Sequence, residues 1–566
     1  MSKESRVLPS ACRSTAVLFV VSSTVLASSV VADIAMQPKS GDPLPGLSAS
    51  QLERFNIGKE RFGIPVSVEE GLGPIFNKAG CFSCHTVPLG GWGSITVTRF
   101  GFADKGTFDP LADLGGSLLQ VAANSEDCQE FVPPEANVTA LRVTNSSLAF
   151  GMIEAIDDAD ILANADPDDN NADGISGKAH MVEAFEDPQG SPLHVGRFGW
   201  KAQVATVLTF SSDASQNEMG LSNRFLPFDN APNGDLDKLA ACDTVADPED
   251  GPDAQGYDFI DRVTDFQRYL APPPQTPKSG MTGEAIFNSI GCNQCHIAQW
   301  TTRNDQSIED AIRGKTIKPY SDFLLHDMGL LGDGIVQGDA GELEMRTPTL
   351  WNLRTRDPML HDGRAAGGTF YDRIAGPAGA IFWHAVVGSE AETSGVAFFN
   401  LTTEEQDAVV AFLDSLGRRE FDFDGDDKVN EFDLPYMALC FGASGVSPDD
   451  VCAIGDVDQD GEITMTDVDA FMTVYAGPLG DCNDNGIEDA VDIIVGTSTD
   501  EDGNGIPDEC VLCAADLSGD GMVDGADLGQ LLAAWGTSGP GDLDGNGDVD
   551  GADLGILLGA WGPCRQ

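Results

Sequence analysis

Cys81-Phe-Ser-Cys84-His85 and Cys292-Asn-Gln-Cys295-His296 are the two stretches on which the rest of the chain turns. Each is a C-x-x-C-H motif. Two thiols at this spacing add across the vinyl groups of haem, and the adjacent histidine becomes an axial ligand of the iron. A redox dithiol or half of a zinc site is the competing reading. It is disfavoured because a histidine follows at once both times. Each motif also stands behind a short Phe/Ile-containing segment, Gly73-Pro-Ile-Phe-Asn-Lys-Ala-Gly80 and Gly283-Glu-Ala-Ile-Phe-Asn-Ser-Ile-Gly291. The pair predicts two covalently held haem c groups, with His85 and His296 as the proximal ligands.

The 566 residues suffice for several domains. Residues 1–32 read as a secretory signal: Arg6 and Arg13 precede an apolar run from Thr15 to Val31, and Val30-Val-Ala32 is a cleavage site. A retained membrane anchor is the alternative, and no later stretch is long and apolar enough to span a bilayer. The expected location is therefore the periplasm or the cell surface, and c-type attachment takes place outside the cytoplasm. Of the 13 cysteines, Cys12 leaves with the signal and the two motifs use four. The even remainder favours disulfides in an exported chain. The expected pairing is Cys440 with Cys452, Cys482 with Cys510, Cys513 with Cys564, and Cys128 with Cys242. The net charge of −59 excludes nucleic acid as a partner, since its phosphates would be repelled.

From about residue 420 the carboxylates fall at regular spacing. Four segments match D-x-[DN]-x-[DN] with Asp at position 12: Asp422/Asp424/Asp426/Asp433, Asp456/Asp458/Asp460/Asp467, Asp516/Ser518/Asp520/Asp527 and Asp542/Asp544/Asn546/Asp553. Oxygens at positions 1, 3 and 5 wrap a hard cation, and Gly at position 6 permits the turn between them. Position 6 is Gly461, Gly521 and Gly547, but Asp427 in the first loop. The last two copies repeat each other through Asp-Gly-Ala-Asp-Leu-Gly to Ala-Trp-Gly, at Trp535 and Trp561. Asp481–Gly486 and Asp500–Gly505 are related loops between the pairs. The tail resembles dockerin type I repeats and similar calcium-stabilised modules, in which Asp at position 12 is usual. The resemblance implies structural calcium, together with a cohesin-like or cell-envelope partner. The alternative is a solvated acidic linker.

Between the motifs and the tail, several segments carry chemistry. Lys318–Gly329 contains His326 and Met328; Met345–Leu353, Met359-Leu-His361-Asp-Gly-Arg364 and Ile381-Phe-Trp-His384 follow. Leu401–Leu416 predicts a helix. Thr402 and Glu405 form a capping box, Val409, Phe412, Leu413 and Leu416 form one apolar stripe, and Gly417 ends it. Earlier stand Gly71–Asn77, Phe150–Ile156, Asp173–Gly177 and Gly196-Arg-Phe-Gly-Trp200-Lys-Ala202. Taken together, residues 50–417 resemble the bacterial di-haem oxidoreductases, relatives of the di-haem cytochrome c peroxidases.

The resemblance implies a mainly α fold. It has two cytochrome-c-like haem domains, 50–275 (with insertions) and 276–417, whose haems face each other. A calcium-loop pair (420–477), an Asp/Asn-Gly linker (478–512) and a dockerin-like pair (513–566) follow. The resemblance also implies roles for single residues. His384 stands where the related peroxidases commonly carry a methionine ligand, which makes His296 and His384 the axial pair of the second haem. His326 and Met328 compete with His384; the other reading of His326 is a hydrogen-bonded core histidine. His361 is expected near this haem, with Arg364 offsetting propionate charge. Trp200 would lie between the haems and relay electrons, and Glu218 would be the acid/base for peroxide cleavage. Two departures bear on Glu218: Phe210 replaces a glutamine of the family, and the spacing from Trp200 is shorter. A core tryptophan and an exposed glutamate are the alternatives. Arg99 is a propionate partner or an ordinary surface arginine. His180 and His194 are expected on surface loops. Asp166, Asp168, Asn170, Asn171 and Asp173 form a further oxygen-rich loop, a calcium site or a polar turn.

Three functions follow as alternatives. The first is an exported di-haem oxidoreductase of peroxidase type. It takes electrons from a small redox donor at the second haem and passes them to a first haem that acts on peroxide or another small substrate. The second is a di-haem electron-transfer cytochrome without catalysis, and the third a surface-anchored binding protein.

Overall fold

Helices α1 (Ala49–Phe62), α2 (Val207–Met219) and α3 (Phe259–Tyr269) frame the first motif; α4 (Thr282–Ser289), α5 (Ala380–His384) and α6 (Thr403–Ser415) frame the second. This is a computed structural model, and it describes residues 36–566 apart from 484, 511–514, 519, 521, 545 and 564–566. The expected signal (1–32), Cys513, Cys564 and Gly521 thus lie outside the described residues. Among the described residues no helix is long and apolar enough to cross a membrane.

Local chemistry starts and stops the helices. The Ser48 hydroxyl accepts from the Gln51 amide and Gln51 returns the bond, a capping box that opens α1; Lys59 and Arg61 sit in its last turn, where the helix dipole favours cations. Thr402 and Glu405 do the same for α6, as expected. Val409, Phe412, Leu413 and Leu416 are all buried, and Gly417 takes a left-handed φ of 120° just past the helix.

The two motifs are held by the same device. In the first half α1 crosses α3 at Gly58, where a Cβ would stand 2.2 Å from the Arg262 carbonyl oxygen. Close approach brings Phe55 and Phe62 to 5.3 and 4.9 Å from the Phe266 ring, and Phe62 lies edge-on to His85 at 5.7 Å. In the second half α4 crosses α6 at Gly283, where a Cβ would meet the Ala408 oxygen at 1.9 Å. Phe287 then sits 5.4 Å from Phe412 and 6.1 Å from His296. Gly58/Phe62 and Gly283/Phe287 are therefore structural counterparts. The segment Gly73–Gly80, which looks equivalent to Gly283–Gly291 in the sequence, is not: Ile75-Phe76 is a short strand paired with Ala122–Ala123, as befits a residue run opened by a helix-breaking proline. Gly283→Ala is expected to cost about 1–3 kcal/mol through overpacking, read as a lower denaturant midpoint. An unchanged midpoint would show that the helices separate freely.

The mainly α expectation needs one correction. Strand β1 (Thr96–Asp104) pairs antiparallel with β2 (Thr107–Asp109), β3 (Leu118–Leu119) and β4 (Val138–Val143) in one sheet. Val97 and Arg99, alternate residues of β1, share a face, and Arg142 stands opposite Val97. A β-branched and aromatic run, Thr96-Val-Thr-Arg-Phe, favours this strand.

The aspartate-rich tail is hydrogen-bonded to the haem-motif region. Arg354 pairs with Asp422 at 2.8 Å, Gln37 donates to Glu420, and the Thr282 amide donates to Asp449 at 2.9 Å. Within the tail, α7 (Gly525–Ala533) and α8 (Gly551–Gly559) bury Val523, Leu531, Val549 and Leu557 in one small core, equivalent residues of the two repeats. Disulfides join Cys128 to Cys242, Cys440 to Cys452 and Cys482 to Cys510, as expected.

Candidate active site

Both C-x-x-C-H motifs fold alike. Cys81–Ser83 and Cys292–Gln294 are single 3₁₀ turns, and the amides of His85 and His296 each donate to the carbonyl of the first cysteine at 3.0 Å. The turn puts both thiols and the imidazole on one side. All four thiols are free, and burial pushes Cys81 and Cys292 up to about 12. Each motif opens into its own cavity, here called front (first motif) and rear (second).

The rear cavity is lined by Cys292, Cys295, His296, His326, Met328, Arg346, Arg356, His361 and His384 among mostly apolar neighbours. The front cavity is lined by Cys81, Cys84, His85, Arg99, Arg142, Asp213, Glu218 and Met219. Trp200 is the one residue shared by the two linings. It is buried, its Nε1 donates to the Val143 carbonyl at 2.8 Å, and its ring meets His361 edge-on at 6.1 Å.

The histidines divide into two kinds. In His85, His296 and His384 the Nδ1 proton goes to a backbone carbonyl: Gly91 at 3.1 Å, Tyr320 at 2.8 Å and Ala380 at 2.8 Å. That bond fixes the tautomer and leaves Nε2 with its lone pair, the arrangement of a metal-ligating histidine. Burial lowers His85 and His296 to about 4 and also lowers His384, so all three rings are neutral at ordinary pH. His326 is different. Both nitrogens donate to carboxylates, Asp322 and Glu390, each at 2.8 Å. Burial opposes its charge, but Asp322 and Cys295 together outweigh burial and hold the ring well above its ordinary value. It has no lone pair to offer and is the hydrogen-bonded core histidine.

Several expected residues need placing anew. Arg364 does not line the rear cavity; it pairs with Asp362 at 2.5 Å and lies over the Trp383 ring. The arginines that line the cavity are Arg346 and Arg356, which were not expected from the sequence. Both are buried and bond only to carbonyls, Arg346 to Gly199 and Thr347, Arg356 to Pro358 and Leu360. Burial lowers them to about 10 and about 9. Two guanidiniums without a carboxylate partner facing a cavity suit an acidic ligand. Their neighbours in the chain are mixed polar and apolar, Glu344-Met-Arg346-Thr and Arg354-Thr-Arg356-Asp, so no local signal marks them. Arg99 lines the front cavity with a buried Nε that has no partner, so it is not a surface arginine. His361 is buried beside the rear cavity, as expected. His180 is buried, with Nδ1 on the Lys201 carbonyl and Nε2 accepting from Asp339, contrary to the surface position expected. His194 lies half-exposed in a two-residue strand between Asp158 and Asp187.

Glu218 occupies the last turn of α2 and faces the front cavity beside Cys81, Cys84 and His85. Its Oε2 accepts from Asn77 at 2.8 Å. Burial raises its pKa; Asn77 and Arg99 oppose the rise and Asp213 adds to it. No second histidine lines this cavity among the described residues, whereas the rear cavity has His384 as well as His296.

The four tail loops share one construction. Asp433, Asp467, Asp527 and Asp553 are fully buried, and each accepts one backbone amide from the start of its loop (Phe423, Val457, Ser518, Leu543) and one from near the following helix (Asn430, Thr464, Asp524, Asp550). Asp422, Asp424 and Asp433 bring carboxylate oxygens within 4.8 Å of one another, as do Asp456, Asp458 and Asp460. Asp427 takes a left-handed φ of 68°, as Gly461 and Gly547 do in the second and fourth loops, and Asp422 shares its charge with Arg354.

The middle positions of the last two loops lie on the surface. Asp520, Asp544 and Asn546, expected as calcium ligands, are all exposed. Each spends an oxygen on the amide two residues ahead: Asp520 accepts from Met522 at 3.0 Å, Asp544 from Asn546 at 3.0 Å, and Asn546 from Asp548 at 2.9 Å. The second oxygen of Asp544 takes the Asn546 side-chain amide, also at 3.0 Å. The reason is local: a short Asp or Asn side chain reaches its own backbone two residues on and forms an Asx turn. The spacing therefore marks the loop, while the position-12 aspartates are what its fold buries. The Asp166–Asp173 loop is likewise exposed and closed by its own hydrogen bonds, with Asp166 accepting from Asn170 and Asn171.

Residues 122–416 match the family described as "Di-haem oxidoreductase, putative peroxidase". The match includes the second motif and both Trp200 and Glu218; the first motif stands before it. Comparison with curated proteins returns no match. Among solved structures the chain is similar to a MauG-like protein associated with microbial copper homeostasis, at 15% identity and a TM-score of 0.28, over 67% of this chain and 93% of that one. It is also similar to the hydrazine synthase of Kuenenia stuttgartiensis, at 12% identity and a TM-score of 0.27, over 73% of this chain and 100% of that one. Likenesses so distant say nothing about chemistry. A di-haem family implies haem, and two cavities each with two thiols, a neutral histidine and buried arginine fit that group. With more than half of its length matched by one family, the chain belongs to the di-haem oxidoreductases.

Proposed function

We propose that this protein is an exported peroxidase-like enzyme that carries electrons from the rear cavity through Trp200 to the front one. A haem c joined to Cys81 and Cys84, and another to Cys292 and Cys295, supply irons that exchange electrons with a donor and with peroxide. The observation that carries the reading is the inequality of the two linings around one shared tryptophan. His296 and His384 close the rear site as a bis-histidine pair; Met328 is the remaining competitor, since His326 has both nitrogens engaged. Arg346 and Arg356 bind propionates there, and Arg99 in front. His85 alone holds the front site, which leaves room for a substrate. Each peroxide needs two electrons and two protons to become two waters. Electrons arrive from a small redox donor, and Glu218 moves the proton between the peroxide oxygens. The tail loops hold structural calcium and attach the enzyme to a cohesin-like or cell-envelope partner.

Cyanide binding to the oxidised full-length protein, followed by paramagnetic resonance, tests this. One equivalent per chain is expected to bind, at the site without the bis-histidine signature. Two signals indifferent to cyanide would make the protein an electron carrier instead.

A further inference from the structure

Away from both cavities, the segment after α2 gathers four carboxylates. Asp229 lies in the loop that follows the helix; Asp243 ends the short helix Leu236–Cys242; Asp247 and Glu249 come just after. One oxygen from each of Asp229, Asp243 and Asp247 lies within 4.8 Å of the other two. The Ser222 hydroxyl donates to Asp247 at 2.5 Å, and the Ser222 amide donates to Glu249 at 2.8 Å, which ties the two loops together.

Two observations separate this cluster from an ordinary acidic patch. Asp229 is 8% exposed, and neither of its carboxylate oxygens meets a hydrogen-bond donor. A buried carboxylate with no donor is costly unless something positive reaches it. Among the described residues, no arginine, lysine or histidine pairs with any of the four. The neighbours that act on Asp229 are all carboxylates: burial, then Glu249, Asp247 and Asp243, push it up to about 9.

We propose that Asp229, Asp243, Asp247 and Glu249 bind one divalent cation, calcium, at a site separate from the tail loops. The donors are all oxygen, which selects a hard cation, and several carboxylates from irregular loops suit calcium better than the strict octahedron of magnesium. Exposed Asp247 leaves the site open to solvent on one side, so water completes the shell. The disulfide Cys128–Cys242 pins the loop next to Asp243. The loop bearing Asp229 is bonded to α2, Gln216 to the Phe228 carbonyl at 2.5 Å and Asn230 to Asn217 at 3.0 Å. The cation therefore clamps the turn that presents Glu218.

The test is calcium content and calcium titration of the full-length protein, wild type against Asp229→Asn/Asp247→Asn. The double variant is expected to hold one calcium fewer per chain, with haem absorbance unchanged. Asp247→Asn alone, at the exposed edge, is expected to weaken one site by roughly tenfold or more. Equal calcium content and equal titrations in wild type and both variants would overturn the proposal. So would an Asp229→Asn protein that melts higher while keeping its calcium, since Asp229 and Glu249 would then share a proton rather than a cation.

Discussion

Glu218→Gln is expected to lower peroxide turnover by about 10²–10⁴-fold, the usual worth of a positioned acid/base, with both haem spectra unchanged. Glutamine keeps the shape of the side chain, and its amide can still meet Asn77. What it loses is a site for the proton that leaves one peroxide oxygen and reaches the other. The environment suits that task. Burial in the front cavity raises the carboxyl, and the nearby Asp213 adds to the rise, while Asn77 and Arg99 keep an ionised form accessible. A base must be ionised to accept a proton, so activity is expected to fall on the acid side through a pKa above that of an ordinary glutamate. The same limb should vanish in Glu218→Gln. Turnover equal to wild type would remove Glu218 from the chemistry. The shorter spacing from Trp200 and Phe210 in place of glutamine do not keep Glu218 out of the cavity, because α2 spans Val207–Met219 and delivers both Phe210 and Glu218 to the same wall.

Chelating calcium should unfold much of the tail and leave the haem absorbance intact. Helices α7 and α8 are each nine residues long, shorter than the roughly 12–15 residues an isolated helix needs in water. Their shared core is small, and each is preceded by a loop that concentrates carboxylates. A cation at a hundredfold excess over its dissociation constant adds about 2.7 kcal/mol per site, comparable to what such a core supplies. Loss of helical circular dichroism and rapid proteolysis after residue 420, both reversed by calcium, are the expected readouts. A tail equally resistant to protease with and without chelator would show that disulfides, packing and the Asx turns of Asp520, Asp544 and Asn546 suffice. The first loop should be the most resistant, because Arg354 already neutralises part of Asp422 and ties it to the haem-motif region.

Local features were legible in the chain. The helix before Gly417 followed from a capping box and an apolar stripe, both of which act within a few residues. The position-12 aspartates were found from spacing, and the structure shows each of them closing its loop, with Asp467, Asp527 and Asp553 also completing the capping box of the next helix. The non-local features were misread where two segments looked alike in line. Gly73–Gly80 mimics Gly283–Gly291, yet Gly58 and Phe62 do the equivalent work, since what counts is the crossing with α3 at Arg262. The sheet formed by β1 to β4 was missed because β2 and β3 are only three and two residues long and β4 pairs with β1 from well along the chain. Arg364 was chosen from a motif, whereas Arg346 and Arg356 are the guanidiniums that burial leaves without a carboxylate.

Two features stand complete in the linear chain. The haem-binding turns need only the five residues of C-x-x-C-H, and the calcium-loop pattern needs only oxygens alternating along one stretch of backbone. Which histidine keeps a free nitrogen was settled by tertiary packing: Ala380 and Asp322 are local partners, four residues before His384 and His326, but the carboxylate that engages the second nitrogen of His326 is that of Glu390, 64 residues away. Packing, too, made Trp200 common to both cavities. A residue becomes a bridge through what packs on its two faces, and no spacing along the chain records that.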